Sequence, residues 1–342
     1  MKRIRYGIIG GGAWGHCYAE AITNDTESEL TVIAEIAEET QYLLKRDFPD
    51  ITVTADYREL LESDIDVAAV VLPNHLHHKV GRDVLLAGKH LLIEKPFAVT
   101  SKECDELIQL AEEKKRDIIV GHQFRLSSLW GKIKTMIDNG FIGRPRYVLI
   151  ELSRNPFRSG ADGWRYDPKR VGDWILEEPI HFLDLAVWYL ERFAKPVSVS
   201  AVSNATDAAL EPLRDNVGAN IMFSDGSFAV VAQTTGAFEH HQTVKIVGTN
   251  GSLWGSWSGA MDRTRHSQFF LKASDGKDVR EIPIENRVGE LFELEEQIHR
   301  VTRLIMQRNV LPHCTGSEGR FAVRLSQWVA ESSRKKTPII IS

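Results

Sequence analysis

Residues 175–185 read ILEEPIHFLDL, so two carboxylates (Glu177, Glu178), a proline and a histidine (His181) crowd the start of an apolar run. Three chemistries fit those types at that spacing: a metal site, a proton-transfer site, or only a polar helix start. Pro179 suits the first turn of a helix, where its missing N–H costs nothing. His181 then falls in that first turn, where the positive end of the helix dipole favours the neutral imidazole that a general base requires. Lys95 is a second candidate, in LLIEKPF at the end of a predicted strand with apolar neighbours on both sides. The carboxyl end of such a strand is where an open α/β sheet presents residues to its ligand. The plainer role for Lys95 is an ion pair with Glu94 or another carboxylate.

A third cluster is Gly10-x-Gly12-x-x-Gly15, directly after a predicted strand and opening a predicted helix. That spacing serves a tight turn, close approach of backbone to a pyrophosphate, and close packing of helix on strand. Glu35 ends the second predicted strand, 20 residues after Gly15. An acidic group there accepts hydrogen bonds from an adenosine ribose and repels a 2′-phosphate, while Ile36 and Ala37 bring no cation. Dinucleotide binding is expected, with NAD preferred to NADP.

The elements that must position these residues follow from periodicity. Residues 4–10, 30–35, 67–72, 91–94 and 117–121 are short apolar, β-branched runs alternating with helical patterns at 13–23, 76–87 and 101–115. Thr100 and Glu103 form a capping-box pattern ahead of the last of these. Such alternation means a doubly wound parallel sheet. Beyond about residue 124 a helix (127–139) leads into RPRYVLIELSR, and a second helix starts near Pro179. Strands then dominate, with SDG, TNG and SDG as hairpin turns, before helices near 289–307 and 317–332. The expected fold is α/β: a Rossmann domain over 1–122, then an α+β domain over 123–342 built on a large, mostly antiparallel sheet.

Composition removes several classes of function. A net charge of −5 with scattered basic residues does not suit nucleic acid. No run of about 18 apolar residues offers a membrane span. Three distant cysteines make no disulfide scaffold, which together point to the cytoplasm.

Two stretches narrow the Rossmann class. VLPNHLHHKVGRDVLLAGKHLLIEKPFA (71–98) resembles the central signature of the glucose–fructose oxidoreductase / inositol dehydrogenase / MocA (Gfo/Idh/MocA) family, with Glu94-Lys95-Pro96 its diagnostic piece. GWRYDPKRVGDWILEEPIHFLDL (163–185) is similar to that family's tryptophan–arginine segment and catalytic histidine helix, and VGHQFR (120–125) also fits. The resemblance implies an NAD(P)-dependent oxidoreductase acting on a hydroxyl of a sugar, sugar acid, cyclitol or related polyol, assembled as a homodimer or homotetramer through the C-terminal sheet. Lys95 would contact the reacting hydroxyl and His181 would be the acid/base. Glu94 would lie by the nicotinamide ribose, and Ala13, Trp14, Leu72, Pro73, Asn74, His77 and Gln123 would line the cofactor. A cis bond is implied between Lys95 and Pro96.

On the substrate side, His122, Arg125, Trp164, Arg165, Glu177 and His181 are the candidates, an arginine beside aromatics suiting a hydroxyl-rich or carboxylated ligand. Trp164 could equally serve only to anchor its loop. Asp184 could orient His181, or cap or brace the domain interface, and the structural role is preferred. Glu177 stands where the family usually has aspartate, which puts substrate preference inferred from relatives in doubt. A zinc role for His75, His77 and His78 fails on spacing, and no metal is expected at Glu177, Glu178 and His181 because hydride transfer to NAD requires none. Two other activities remain compatible with the resemblance: glycoside cleavage through transient oxidation at the 3-position with NAD retained, and non-catalytic cofactor sensing.

Overall fold

The computed structural model describes residues 3–261, 263–286 and 288–341. Strand β1 (Ile4–Ile9) is buried on both faces apart from half-buried Arg5, as its mostly apolar sequence IRYGII demands. It is followed by α1 (Ala13–Asn24), β2 (Ser28–Ala34), α2 (Glu38–Asp47), β3 (Thr52–Thr54), α3 (Tyr57–Glu62) and β4 (Val67–Val70). Then come α4 (His77–Leu86), β5 (His90–Glu94), α5 (Ser101–Lys114) and β6 (Ile118–Gly121). The six strands form one parallel sheet in the order β3-β2-β1-β4-β5-β6. The order reverses between β1 and β4, the switch point outside which such sheets bind ligands. The capping box of α5 is complete, with Thr100 and Glu103 each accepting from the other's backbone N–H.

The second half contains α6 (Trp130–Asp138), β7 (Pro145–Arg154), α7 (Pro168–Val171) and α8 (Pro179–Leu190). Strands β8 (Pro196–Asn204), β9 (Asn216–Phe223), β10 (Phe228–Thr234), β11 (His240–Gly248), β12 (Ser252–Gly259), β13 (Gln268–Ser274) and β14 (Val279–Glu281) follow. The chain ends with α9 (Glu290–Ile305), α10 (Gly316–Lys335) and β15 (Ile339–Ile340). Nine strands make one sheet, β14-β13-β12-β11-β7-β10-β9-β8-β15, in which only β7 and β10 run parallel. Helix α8 packs on β7 and β10, and every residue of it except Trp188 is buried. Each large apolar side chain so buried contributes about 1.5–3 kcal/mol.

Two compact units result: Met1–Gln123 with Leu294–Val323, and Phe124–Glu293 with Arg324–Ser342. This differs from a single boundary between residues 122 and 123, because most of α9 returns to the first unit. Leu294, Ile298 and Val301 join the core around β1. Thr302 meets the Tyr6 hydroxyl at 2.8 Å and Ser28 at 2.7 Å. Those contacts are nearly 300 residues apart in sequence, so no local pattern announces them. Helices α2 and α3 and strand β3 were also absent from the periodicity, being short and largely polar. Among the described residues no helix is long and apolar enough to cross a membrane.

Candidate active site

In the first unit the glycine loop leaves β1 with Gly10 at φ +103°, a conformation side chains rarely adopt. A Cβ on Gly15 would stand 1.9 Å from the Gly10 carbonyl oxygen, so helix and turn close up only around glycine. Gly12 is different, since a Cβ there would meet nothing within 4 Å. It also caps α1 without a side chain, and α1 has no acidic residue in its first turn. Open space against an uncapped helix N-terminus is what an anion such as a pyrophosphate requires. Glu35 accepts from Gly11 N at 2.8 Å and Ala37 N at 2.9 Å, tying the end of β2 to the loop. Ala13 is exposed and Trp14 half-buried beside it.

After β4 the chain runs through Leu72 and Pro73 to buried Asn74. His77 is fully buried, its Nδ1 2.6 Å from the Pro96 carbonyl and its Nε2 2.8 Å from the Leu72 carbonyl. It therefore braces the loops that follow β4 and β5. His78 instead meets Glu106 at 3.0 Å, so the adjacent histidines diverge.

At the end of β5, Glu94 is buried and Lys95 half-buried, and the Lys95–Pro96 bond is cis. The Glu94 carboxylate accepts from Trp14 Nε1 at 2.8 Å, the Tyr18 hydroxyl at 2.6 Å and Lys95 N at 3.1 Å. Gln297 of α9 donates to the Tyr18 oxygen at 2.8 Å. A Cβ on Gly121 would press to 3.1 Å from the same carboxylate. Burial and the nearby Glu94 charge raise the Tyr18 hydroxyl well above its ordinary pKa. His122 and Gln123 are buried just beyond β6, and the Gln123 Oε1 has no hydrogen-bond partner among the described residues. A buried acceptor left this way suits a ligand donor such as a carboxamide.

In the second unit the candidates converge on the start of α8. Pro179 holds the first helical position, and His181 N donates to the Glu178 carbonyl at 3.0 Å. The buried His181 ring lies 4.6 Å from that of Phe124. Glu177 accepts from Arg165 Nε at 2.8 Å, and the Arg165 guanidinium lies 4.5 Å over the Trp164 ring. Trp164 is itself buried in a small core with Phe157, Val171, Trp174 and Leu213, so it does anchor its loop. Trp174 Nε1 donates to the Arg165 carbonyl at 2.7 Å and further fixes that arginine.

Asp184 takes a two-pronged grip from Arg125, Nε at 2.8 Å and Nη2 at 2.7 Å. The Arg125 guanidinium, expected beside substrate, is thus engaged with Asp184 and lies over Trp188. Sequence reasoning did not single out Tyr18, Gln297, Arg154, His240 or Gln242. Arg154 donates to Glu178 at 2.9 Å and lies 4.7 Å over Phe157. His240 pairs with Arg154 in the β11–β7 register and meets Gln242 at 3.0 Å. Only Tyr18 carried a local signal, four residues after Trp14 on one face of α1.

Residues 4–122 match the family model described as an oxidoreductase family with an NAD-binding Rossmann fold, and residues 130–254 match the GFO/IDH/MocA C-terminal domain. The chain is 27% identical to the uncharacterized oxidoreductase YrbE of Bacillus subtilis, over 99% of this chain and 97% of that protein. It is 30% identical to the UDP-N-acetylglucosamine 3-dehydrogenase of Acidithiobacillus ferrooxidans, over 72% of each. Among solved structures, a levoglucosan dehydrogenase complex with NADH superposes with TM-score 0.85 at 21% identity, covering all of both chains. An inositol dehydrogenase homologue with NAD+ from Azotobacter vinelandii gives TM-score 0.84 at 20% identity, over 99% of this chain and 98% of that one. At those identities the structural likeness bears on the fold alone.

Proposed function

Because the chain belongs to the Gfo/Idh/MocA oxidoreductase family, we propose that it is an NAD-dependent dehydrogenase oxidising a secondary hydroxyl of a sugar, sugar acid or inositol-like polyol. Cofactor binding is assigned to the first unit and substrate binding to the second. The observation that carries this is the glycine loop open at Gly12, set beside a buried Glu94 that ends β5 at the carboxyl edge of the sheet, with Lys95 directly after it. Bound NAD would supply the hydride acceptor. Gly10, Gly12, Ala13, Trp14 and Gly15 would cradle the pyrophosphate, and Glu35 would take the ribose hydroxyls and disfavour NADP. Leu72, Pro73, Asn74 and His77 shape the neighbouring loop, and Gln123 offers its unpartnered oxygen to the carboxamide.

Lys95 is assigned to the reacting oxygen, where an ammonium steadies the alkoxide character that develops as the carbonyl forms. His181 is assigned the hydroxyl proton, with Glu177 holding a neighbouring hydroxyl. His122 and Trp164 complete the substrate side. The outer face of the nine-stranded sheet, where Met222, Phe228, Tyr147 and Val247 align in register, is assigned to association of copies into a homodimer or homotetramer.

A panel of sugars, sugar acids and inositols assayed with NAD and NADP in parallel tests the proposal. NADH formation with at least one member, faster than NADPH formation, is expected. Free sugar released from a glycoside without net NADH would replace the dehydrogenase assignment by the transient-oxidation one.

A further inference from the structure

The connection between β8 and β9 (residues 205–215) meets the loop that carries Trp164, Arg165 and Glu177, and both belong to the second unit. Leu213 is 2% exposed and shares a buried core with Phe157, Trp164, Val171 and Trp174, with Leu210 packed against it. Arg214 Nη1 donates to Asp173 Oδ2 at 2.8 Å, and the two side chains are only 12% and 18% exposed. We propose that Leu213 and Arg214 are positioning residues that set the place of Arg165 and Glu177 and so help decide which substrate the second unit accepts. The inference rests on the dehydrogenase assignment above and adds a specificity element to it.

Two routes lead from the connection to that pair. The first runs through Asp173, whose Oδ1 accepts from Ile175 N at 3.0 Å and so caps the short turn Trp174–Leu176. Leu176 N donates to the Asp173 carbonyl and Glu177 N to the Trp174 carbonyl, each at 3.0 Å, so the turn fixed at Asp173 ends on Glu177. Burial pushes the Asp173 carboxyl up to about 6, against the pull of the Ile175 N–H and the charges of Arg214 and Arg334. A carboxylate so placed depends on those cations to stay ionised near neutral pH. The second route runs through Trp174, which shares the core with Leu213 and donates its Nε1 to the Arg165 carbonyl at 2.7 Å. Arg165 Nε in turn donates to Glu177 Oε2 at 2.8 Å, so both routes close on one pair. The connection is itself anchored, with Arg214 N on the Leu210 carbonyl and Thr235 N on the Asp215 carbonyl, both at 2.9 Å. A misplacement of ~1 Å in a group that holds substrate costs as much as ~10²-fold in rate, so a residue that never touches the ligand can still set specificity.

Arg214→Ala, Arg214→Lys, Asp173→Asn and Leu213→Val, compared with the wild type over the panel of sugars, sugar acids and inositols, test this. Each is read by kcat/KM at saturating NAD and, independently of turnover, by calorimetric binding of panel members to the NAD-loaded protein. In Arg214→Ala, kcat/KM for the best substrate is expected to fall about tenfold or more, with the ranking of the panel altered and NAD affinity within about twofold. Arg214→Lys, which keeps a cation in reach of Asp173, should recover most of the loss. Asp173→Asn, which can still cap Ile175 but carries no charge, should resemble Arg214→Ala, and it carries the test should Arg214→Ala fail to fold. The double variant should be no worse than either single one. Leu213→Val, a trim of the second route alone, should alter the ranking as well. A ranking unchanged in every variant, with all members weakened by one factor, overturns the inference and makes these residues merely structural. So does a loss of NAD affinity as large as the loss for substrate, or a wild type that binds no member of the panel. An altered ranking in binding, with no NADH formed by the wild type, would keep the positioning role and remove the dehydrogenase assignment instead.

Discussion

Glu94 in the first unit and Glu177 in the second are both nearly fully buried carboxylates, 6% and 5% exposed, but they are held in opposite ways. Glu94 is gripped by neutral donors, the Trp14 indole, the Tyr18 hydroxyl and a backbone N–H. Glu177 is gripped by a guanidinium. Neutral donors fix a carboxylate in place without cancelling its charge, whereas an arginine fixes and cancels together. On the proposed function that difference matches the ligands: a nicotinamide that is cationic when oxidised on one side, a hydroxyl-rich substrate on the other.

The largest effect should come from breaking an arginine pair on one side only. Arg125→Leu leaves the buried Asp184 without its guanidinium, and a loss of about 3–5 kcal/mol in unfolding free energy is expected. Adding Asp184→Leu should recover most of it, because replacing a buried pair by apolar groups is often neutral or better. Denaturant unfolding of the two variants checks this, and equal stability of single and double variants would argue that the pair bears no such cost.

A smaller effect is expected at the neutral cage. Tyr18→Phe removes one donor from Glu94, a hydrogen bond to a charged group worth about 1.5–3 kcal/mol. As a positioning residue Tyr18 should act on cofactor use, so kcat/KM for NAD should fall about tenfold or more. KM for the sugar should stay nearly constant. A uniform loss of both, in step with lower stability, would make Tyr18 merely structural.

A third effect, read in pH dependence, concerns a carboxyl held without any arginine in the hydrogen-bonding set described. Glu293 accepts from Gly289 N at 3.3 and 3.0 Å, and burial pushes its carboxyl up to about 8 despite donors at Gly289 and Ser127. Its folded pKa lies above the ordinary value, so its stabilising contribution is complete below about pH 4.5 and is lost as pH rises through about 8. Glu293→Gln, which mimics the protonated acid, should flatten the fall of Tm across that window by a few degrees. An unchanged pH profile would show that Glu293 ionises as an ordinary surface acid.

The two sides also differ in how far the sequence disclosed them. The glycine loop, Glu35, Lys95, Pro179 and His181 are short strings whose backbone demands are local, and the helices and strands around them fall within a few residues of their patterns. The grips on the carboxylates are not local. Tyr18 reaches Glu94 across 76 residues and Arg154 reaches Glu178 across 24, through a register set by nine strands. The return of α9 to the first core was hidden for the same reason. Glu177, conspicuous as a departure from aspartate, acquired its meaning only once Arg165 was seen beside it.

Transfer of label tests the central claim most directly. The best substrate of the panel, deuterated at the oxidised carbon, is incubated with NAD and the protein, and the reduced cofactor is analysed by mass spectrometry. Deuterium should appear in NADH, and in Lys95→Ala its rate of appearance should fall by about 10²–10⁴. Unlabelled cofactor from a substrate that is nonetheless consumed, or equal rates in the wild type and Lys95→Ala, would contradict the account.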